Sequence, residues 1–212
     1  MRWTVEAAKH SELFERIIVS SDSGVYLTMA REWGVEGILR PLELANDDSG
    51  DVDVVKHALD WLMLTCANSF NLSMCQIAYL RPTTPFRTTS LLTRAIQTFC
   101  QAGESATSLR SVEEMGESAW KCFETHFGYL RTVRGDMRTA NLPNQELPKT
   151  YRGNGYIDII KPQQAIIGDL WGDRCIGFIT PPVIEIDNER DLEYAEYFLA
   201  HKRSKEIVFR RE

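Results

Sequence analysis

Hydrophobic and polar positions alternate along this chain in patterns that predict helices and strands in turn. Near the amino terminus, Trp3, Val5, Ala8 and Leu13 recur at roughly helical spacing. The apolar residues 17–19 then predict a short strand at 16–20 that leads into a polar turn. A helix followed by a short buried strand is the second half of a strand–helix–strand unit. The pattern therefore raises the question of which strand should precede the helix.

The alternation continues as far as residue 112. Further helices are predicted at about 23–33, 51–67 and 91–100, and further strands at 37–41, 73–80 and 104–112. The strand at 73–80 is continuously apolar, which is typical of a strand buried on both faces of a sheet. This order predicts an α/β fold with a Rossmann-like, doubly wound and mostly parallel sheet.

Beyond residue 112 the pattern loosens. We interpret residues 113–165 as a small β-rich lobe inserted into a single domain of residues 1–212; such a lobe covers a ligand or forms a dimer contact. The elements predicted after it are strands at 175–179 and 183–186 and a closing helix at 187–206. Asp187 or Asn188 is expected to cap that helix, because both side chains accept hydrogen bonds from free backbone N–H groups.

Composition then narrows the classes of function. The chain has 212 residues, is 43% hydrophobic and carries a net charge of −6, so it can bury a core and is poorly suited to binding nucleic acid. No apolar run is long enough to cross a membrane, and the first residues do not form a signal peptide. The 5 cysteines have no paired spacing, which predicts reduced thiols and a cytoplasmic protein, and the 4 histidines are too scattered for structural zinc.

Polar loops follow three of the predicted strands, at 20–24, 40–50 and 81–89. In open α/β sheets, ligands bind beyond the carboxyl ends of the strands, so chemistry is expected in these loops. The chain contains no Gly-x-x-x-x-Gly-Lys-Ser/Thr sequence and no Gly-x-Ser-x-Gly sequence. These absences exclude a P-loop nucleotidase and a standard α/β-hydrolase.

The segment VIEID at 183–187 is a candidate metal site. In a strand, Glu185 and Asp187 point to the same side, and two carboxylates there suit Mg²⁺, which prefers oxygen ligands and bridges phosphates. The alternative is that Asp187 caps the helix and Glu185 is simply solvated. The spacing alone favours this alternative.

The segment YLRPTTPFRTT at 79–89 is a candidate anion site. Arg81 and Arg87 follow a buried strand, and arginines in such a place bind carboxylates or phosphates bidentately. The alternative is an ordinary surface turn before a helix, and the residues alone do not separate the two.

The segment NLPNQELPKTYRGNGYID at 141–158 contains a compact polar set, Lys149, Tyr151, Arg152 and Asn154. Its Gly-Asn-Gly stretch does not open a helix after a strand, so it is not a dinucleotide fingerprint. The four polar side chains either face an anionic ligand or form the solvated face of a hairpin, and the hairpin is favoured on these residues alone.

Six segments in order give a more specific indication. They are ERIIVSSDS, LRPLELANDDSGDVDVVKHAL, LRPTTPFRT, SLRSVEEMGESAWK, LPNQELPKTYRGNGYIDI and IEIDNERDLEYAE. Together they resemble the acylneuraminate cytidylyltransferase family, the CMP-sialic acid synthetases and their relatives for other nine-carbon sugar acids. The resemblance covers essentially the whole chain.

The resemblance implies a nucleotidyltransferase that couples CTP to a nine-carbon 2-keto sugar acid, a nonulosonic acid. The anomeric hydroxyl attacks the α-phosphate and pyrophosphate leaves, with Mg²⁺ and basic side chains stabilising the charge. The family pairs into homodimers through the inserted lobe. A related enzyme for 3-deoxy-manno-octulosonate is a further alternative, but YRGNGYID and the length of the lobe favour the acylneuraminate branch.

The matching positions imply roles for particular residues. The implied catalytic residues are Asp187, Arg152 and Lys121; the substrate-binding residues are Arg40, Ser49, Arg81, Gln145, Tyr151 and Asn154; the metal ligands are Asp187 and Glu185. Arg40 belongs to the nucleotide side, and Ser49 lies near the position that recognises cytosine.

This chain departs from the family pattern at several of these positions. Glu185 stands where the family has the first of two aspartates, Arg81 stands where many relatives carry a glutamine that touches the sugar acid, Asn144 replaces an arginine, and Asp158 replaces an aromatic residue of the sugar pocket. The differences at Glu185, Asn144 and Asp158 predict a substrate other than ordinary sialic acid, of the legionaminic or pseudaminic type.

The resemblance also answers the question raised by the first residues. Family members begin with a strand and a loop resembling Ala-Arg-Gly-Gly-Ser-Lys-Gly-Ile-Pro-x-Lys-Asn, which grips the triphosphate, and MRWTVEAA aligns with the helix after both. Two neighbouring strands are then expected to lack a partner. Either the natural protein is longer and active, which the intact later segments favour, or the chain is a short, non-catalytic nucleotide- or sugar-acid-binding protein of the same fold.

Overall fold

Helices and strands alternate along the chain in the computed structural model, which describes residues 1–46, 48–66, 71–72 and 75–201. The helices are α1 (Arg2–Ser11), α2 (Gly24–Glu32), α3 (Asp51–Thr65), α4 (Thr89–Ala102), α5 (Pro162–Ile167) and α6 (Glu189–His201). The strands are β1 (Ile18–Ser21), β2 (Glu36–Leu39), β3 (Ile77–Tyr79), β4 (Ser108–Glu114), β5 (Phe123–His126), β6 (Tyr129–Thr132), β7 (Tyr151–Ile160) and β8 (Cys175–Ile179). The α/β class predicted from the sequence is confirmed. Parts of three predicted elements, at 67, 73–74 and 202–206, lie outside the described residues.

The main sheet has four strands in the order β3–β7–β4–β8. β4 and β8 are parallel, whereas β7 runs antiparallel to both β3 and β4. The prediction of a mostly parallel sheet is therefore wrong for this sheet, which is mixed. The reason is that β4 and β7 are joined at one edge by residues 115–150, so the chain re-enters the sheet in the opposite direction.

Helices cover both faces of the main sheet, as a doubly wound fold requires. On one face, Leu92, Ala95 and Phe99 of α4 pack against Leu109 of β4 and Ile157 of β7. On the other face, the cluster joins α3, β7, α5 and the turn after α5; its buried members are Val55, Leu59, Ile160, Ala165 and Leu170. Residues 154–160 of β7 are all buried between these layers.

β1 and β3 are edge strands. In the part of the chain that the structure describes, β1 pairs in parallel with β2 as a separate sheet, and β3 pairs with β7. The three residues of β3 are half-buried, unlike the buried residues of β7.

The lobe after β4 contains an exposed hairpin made of β5 and β6. Phe127 at its tip is 90% exposed and Tyr129 is 79% exposed. β7, which the sequence analysis placed within the lobe, is an interior strand of the main sheet instead. Among the described helices, none is long and apolar enough to cross a membrane.

Residues 183–186 do not form the predicted strand. The backbone N–H of Val183 donates to the Glu113 side chain (2.9 Å), and that of Ile186 donates to the carbonyl of Thr83 (2.8 Å). These N–H groups are bonded to a side chain and a loop rather than to a neighbouring strand. The segment is therefore an extended loop that lies across the carboxyl end of the sheet.

Gly155 permits a close approach between β7 and the loop after β3. A Cβ atom at this position would lie 2.5 Å from Thr84 Oγ1 and 3.2 Å from Arg81 Cβ. Thr84 is fully buried and so has no space into which to move. The Gly-Asn-Gly stretch thus serves packing rather than dinucleotide binding.

Replacing Gly155 with alanine should therefore destabilise the protein. Overpacking of this kind costs about 1–3 kcal/mol, which thermal or urea unfolding would measure directly. Gly116→Ala is the matched control, because a Cβ atom there meets nothing within 4 Å. Equal stability of the two variants would show that the loop moves aside without cost.

Candidate active site

The polar loops predicted to carry chemistry lie together at one edge of the fold. Arg40, after β2, has a guanidinium nitrogen 3.9 Å from Asp22 Oδ1, after β1. Arg81, after β3, donates to Asp51 Oδ2 at the start of α3 (2.5 Å). Because β7 is antiparallel to β4, its first residues reach the same edge, where Arg152 lies opposite Glu113.

A cavity of about 270 Å³ opens at this edge. It is lined by Glu113, Arg152, Asn154, Val183, Ile184, Glu185, Asp187, Asp191 and Tyr194. Four residues that the sequence analysis assigned to one site, Arg152, Asn154, Glu185 and Asp187, are therefore brought together. We call this cavity the acidic pocket, because its lining contains four carboxylates and one guanidinium.

Arg152 is positioned by a carboxylate that the sequence analysis missed. Its Nε and one terminal nitrogen both donate to Glu113 Oε1, at 2.7 and 2.5 Å. The Glu113 side chain is only 5% exposed, while that of Arg152 is 68% exposed. Glu113 thus anchors the guanidinium from below and leaves its outer face open to an anion.

Glu185 and Asp187 share the acidic pocket although their segment is not a strand. Burial raises the pKa of Glu185, and the charge of Asp187 raises it further, while Arg81 and Arg152 act in the opposite direction. Two carboxylates that repel each other in this way favour a cation between them.

The capping alternatives for α6 are resolved by the hydrogen bonds. Asn188 Oδ1 accepts from the backbone N–H groups of Arg190 and Asp191 (3.0 and 3.2 Å), so Asn188 is the cap. Asp191 Oδ2 accepts in return from the N–H groups of Asp187 and Asn188. The capping role proposed as an alternative for Asp187 therefore belongs to Asn188.

Glu185 and Asp187 fit the oxygen chemistry that Mg²⁺ prefers. In the part of the chain that the structure describes, no three Asp, Glu, His or Cys side chains form a complete metal site. Mg²⁺ in nucleotide enzymes is commonly held by one or two carboxylates together with substrate phosphates. The geometry is therefore consistent with a site in which two ligands come from the protein and the others from the substrate.

Arg81 lies beside the acidic pocket and is held by two carboxylates. One terminal nitrogen donates to Asp158 Oδ2 (2.6 Å) and the other to Asp51 Oδ2 (2.5 Å). Tyr79 supports the arrangement, since its hydroxyl donates to Asp51 Oδ1 (3.0 Å) and its ring lies 4.9 Å below the guanidinium. Burial raises the pKa of Tyr79 to about 12, so its phenol keeps the proton that it donates.

Arg87 does not bind a ligand, contrary to one of the two sequence interpretations. Its side chain is 1% exposed and donates to backbone carbonyls of Tyr156, Gly155, Arg81 and Thr84 and to the Thr4 hydroxyl. Burial lowers the pKa of Arg87 to about 10, and the group stays protonated near neutral pH. It fastens the loop after β3 to β7 and to α1.

Asn154 lines the acidic pocket, but its side chain is bonded within the protein. Its amide nitrogen donates to Thr180 Oγ1 (2.9 Å), its Oδ1 accepts from the N–H of Tyr156, and the residue is 5% exposed. It shapes the wall of the pocket and holds the ends of β7 and β8 together.

Other residues named by the resemblance lie away from the acidic pocket. Lys121 is 3.5 Å from Glu117 in the lobe, and Ser49 donates to Asn46 Oδ1 (3.0 Å). Gln145 lines a separate cavity of about 210 Å³ between the end of β4 and the lobe. Tyr151 is 41% exposed at the start of β7 and is not part of the pocket lining.

The sequence of this chain is similar to those of several known proteins. No family model matches the chain. It is 37% identical over 99 residues to N-acylneuraminate cytidylyltransferase of Escherichia coli, a match to 47% of this chain and 22% of that protein. It is 25% identical over 205 residues to post-translational flagellin modification protein B of Campylobacter coli, covering 94% of this chain and 83% of that protein. The resemblance to acylneuraminate cytidylyltransferases is confirmed.

A third relative has a bifunctional name. The chain is 34% identical over 65 residues to a Helicobacter pylori protein named pseudaminic acid cytidylyltransferase and UDP-2,4-diacetamido-2,4,6-trideoxy-beta-L-altropyranose hydrolase. That match covers 30% of this chain and 13% of the relative. In two of these three relatives, the match therefore spans less than a quarter of the curated protein.

Solved structures support the fold. CMP:2-keto-3-deoxy-manno-octonic acid synthetase complexed with CTP superposes with a TM-score of 0.59 at 11% identity, covering 93% of this chain and 87% of that chain. The 4-diphosphocytidyl-2C-methyl-D-erythritol synthase of Anaerococcus prevotii superposes with a TM-score of 0.61 at 8% identity, covering 94% and 88%. The chain thus has the α/β fold of these nucleotidyltransferases.

Proposed function

We propose that this protein transfers a cytidylyl group from CTP to a nine-carbon 2-keto sugar acid, giving the CMP-sugar and pyrophosphate. The observation that carries the proposal is the acidic pocket, which joins Arg152, Asn154, Glu185 and Asp187 at the carboxyl end of the sheet. The names of the relatives from Escherichia coli and Helicobacter pylori supply the reaction class.

The reaction forms one bond and breaks one. The anomeric hydroxyl oxygen of the sugar acid bonds to the α-phosphorus of CTP, and its proton passes to water. The bond from that phosphorus to the β-phosphate oxygen breaks, and pyrophosphate leaves with the electron pair. The protein's task is to position the two anionic substrates and to offset their charge.

Arg152 is the group placed to offset that charge. Glu113 fixes its guanidinium through two hydrogen bonds, so little conformational freedom is lost when it meets a phosphate. On the other side of the acidic pocket, Glu185 and Asp187 would hold Mg²⁺, which supplies Lewis acidity at the phosphate oxygens. We assign Arg40, which lies 3.9 Å from Asp22, to the binding of the nucleotide.

Homodimer formation is part of the proposal. Phe127, Tyr129 and Leu130 on the β5–β6 hairpin are 90%, 79% and 61% exposed, an apolar surface that a second copy of the lobe would cover.

The proposal also places the protein in the cytoplasm. The five cysteines form no disulfide in the described residues, which is consistent with a reducing compartment.

The substrate is proposed to be of the legionaminic or pseudaminic type. This choice rests on Glu185, Asp158 and Asn144, where the chain differs from the family pattern. Asp158 is fully buried and paired with Arg81, so the side of the pocket near Arg81 differs in charge from one built with an aromatic residue and a glutamine.

A substrate panel tests the proposal. The 212-residue chain would be assayed for pyrophosphate release with CTP, Mg²⁺ and N-acetylneuraminate, legionaminate, pseudaminate or 3-deoxy-manno-octulosonate. We expect release with legionaminate or pseudaminate and much slower release with the other two acids. Comparable turnover of N-acetylneuraminate would contradict the substrate assignment, and no release with any acid from folded protein would contradict the activity.

A further inference from the structure

A carboxylate, Asp158, is buried in the middle of the main sheet. It lies on β7 between Tyr79 of β3 and Arg110 of β4, and its residue is 0% exposed. Replacing a buried ion pair with apolar residues of similar size is often neutral or stabilising. Packing alone therefore gives no reason for a carboxylate at this position.

Asp158 accepts a hydrogen bond from one side chain among the described residues, and the charge of Arg110 also acts to lower its pKa. Its Oδ2 accepts from Arg81 (2.6 Å), while its Oδ1 has no hydrogen-bond partner in the described structure. Burial raises the pKa of Asp158, and the charge of Arg81 acts against that change. Arg81 thus provides both a hydrogen bond and an opposing charge to this buried carboxylate.

Arg81 is held from several sides at once. Besides Asp158, it donates to Asp51, whose other oxygen accepts from Tyr79. Its Cβ and Cδ lie against Gly155, each 3.2 Å from where a Cβ atom would be. The guanidinium therefore has a single orientation between β3, β7 and the start of α3.

The same guanidinium acts on the acidic pocket. The loop that carries Glu185 is tied to the loop of Arg81 by the bond from the Ile186 N–H to the Thr83 carbonyl (2.8 Å). The Arg81 side chain is 18% exposed whereas that of Asp158 is fully buried, so the guanidinium is the member of the pair that a ligand can reach. A guanidinium has five N–H donors, and the bonds to Asp158 and Asp51 use two of them.

We propose that Asp158 is a positioning residue that holds Arg81 so that its remaining N–H groups bind the carboxylate of the sugar acid. Asp158 itself is buried and does not touch substrate. The inference rests on the proposed function. It adds that Asp158 orients Arg81, the group that binds the sugar acid. It leaves to Arg152 the separate role that the proposed function gives it, which is to offset the charge of the phosphates.

The first test is Asp158→Asn, which keeps the shape of the side chain and removes its charge. Steady-state kinetics would give kcat and the KM values for CTP and for the sugar acid, and calorimetry without CTP would give the Kd of legionaminate and pseudaminate. We expect KM and Kd for the acid to rise about tenfold or more, with the KM for CTP changing less than about twofold, since a charge-assisted bidentate contact would be lost. Asp173→Asn, at an exposed aspartate, is the matched control.

A second variant keeps the test decisive if Asp158→Asn folds poorly. The pair Arg81→Met with Asp158→Leu removes both charges and the N–H donors of Arg81, and it leaves no unpaired ion in the core. If Arg81 and Asp158 only stabilise the fold, the double variant should fold and bind the acid with unchanged affinity. That result would overturn the inference. The positioning role predicts a folded double variant that binds the acid at least about tenfold more weakly.

The binding experiment also separates this inference from the proposed function. If the wild-type chain binds the acid but releases no pyrophosphate, and Asp158→Asn weakens that binding, the positioning role stands and the proposed activity fails. If turnover occurs and Asp158→Asn raises both KM values equally, the activity stands and the positioning role fails. A wild-type chain that binds neither acid overturns the inference outright.

Discussion

Replacing Arg87 with methionine is expected to lower the free energy of unfolding by about 3–5 kcal/mol. Arg87 is 1% exposed, and its guanidinium satisfies four backbone carbonyls and one hydroxyl that belong to α1, β7 and the loop after β3. Methionine fills much of the volume but donates no hydrogen bond, so these buried oxygens lose their partner. Urea unfolding followed by circular dichroism would measure the change.

Two further variants locate the cause of that loss. Arg87→Lys keeps the charge but offers a point donor in place of a planar fork, so we expect an intermediate loss of stability. Arg131→Met is the control, because Arg131 has a side chain that is 70% exposed on the hairpin and should change the stability by less than about 0.5 kcal/mol. A stability of Arg87→Met within that same range would contradict the structural role assigned to Arg87.

Replacing Asp187 with asparagine is expected to reduce kcat at least about 100-fold, because Lewis-acid charge stabilisation is worth several kcal/mol and 1.4 kcal/mol is a factor of ten. Asp187 shares the acidic pocket with Glu185, and these two carboxylates are the proposed ligands of Mg²⁺. Asparagine keeps the size of the side chain and an oxygen atom but removes the charge. Pyrophosphate release measured over a range of Mg²⁺ concentrations would give kcat and the apparent metal affinity.

The same substitution should leave the fold intact. The cap of α6 is formed by Asn188 and Asp191, to which Asp187 contributes its backbone N–H rather than its side chain. We therefore expect Asp187→Asn to melt within a few degrees of the wild type. An unchanged kcat in a folded variant, with the same dependence on Mg²⁺, would remove Asp187 from the proposed metal site.

Local patterns in the sequence are enough to predict some helices and strands of this fold. The helical spacing of Val55 and Leu59 and the apolar run at 77–80 predict α3 and β3 because each pattern reports on burial of the segment's own side chains. The direction of β7 depends instead on where the lobe returns the chain to the sheet. No periodicity within YRGNGYIDII carries that information, so the prediction of a mostly parallel sheet failed.

The residues of the site likewise fall into those that the sequence identifies and those that only the structure shows. Residue type and order were enough to group Arg152 with Glu185 and Asp187, since the segments that carry them resemble those of a known family. Glu113 was missed because a lone glutamate at the end of a strand looks like a solvated residue. Its role follows from burial and from two bonds to Arg152, which only the folded chain shows.

Arg81 and Arg87 show why similar residues six positions apart differ in role. The sequence offered both as anion ligands. Arg87 is surrounded by carbonyl groups and completes the fold, whereas Arg81 is bound by carboxylates beside the acidic pocket. The role of an arginine thus depends on whether the protein uses all of its N–H donors or leaves some of them for a ligand.

The most direct measurement of the central claim is phosphorus NMR of the wild-type chain with CTP, Mg²⁺ and legionaminate or pseudaminate. The account predicts that the three CTP signals decline together while a phosphodiester signal and a pyrophosphate signal rise in equal amounts. An unchanged CTP spectrum with either acid, from protein shown to be folded, would contradict cytidylyl transfer by this chain.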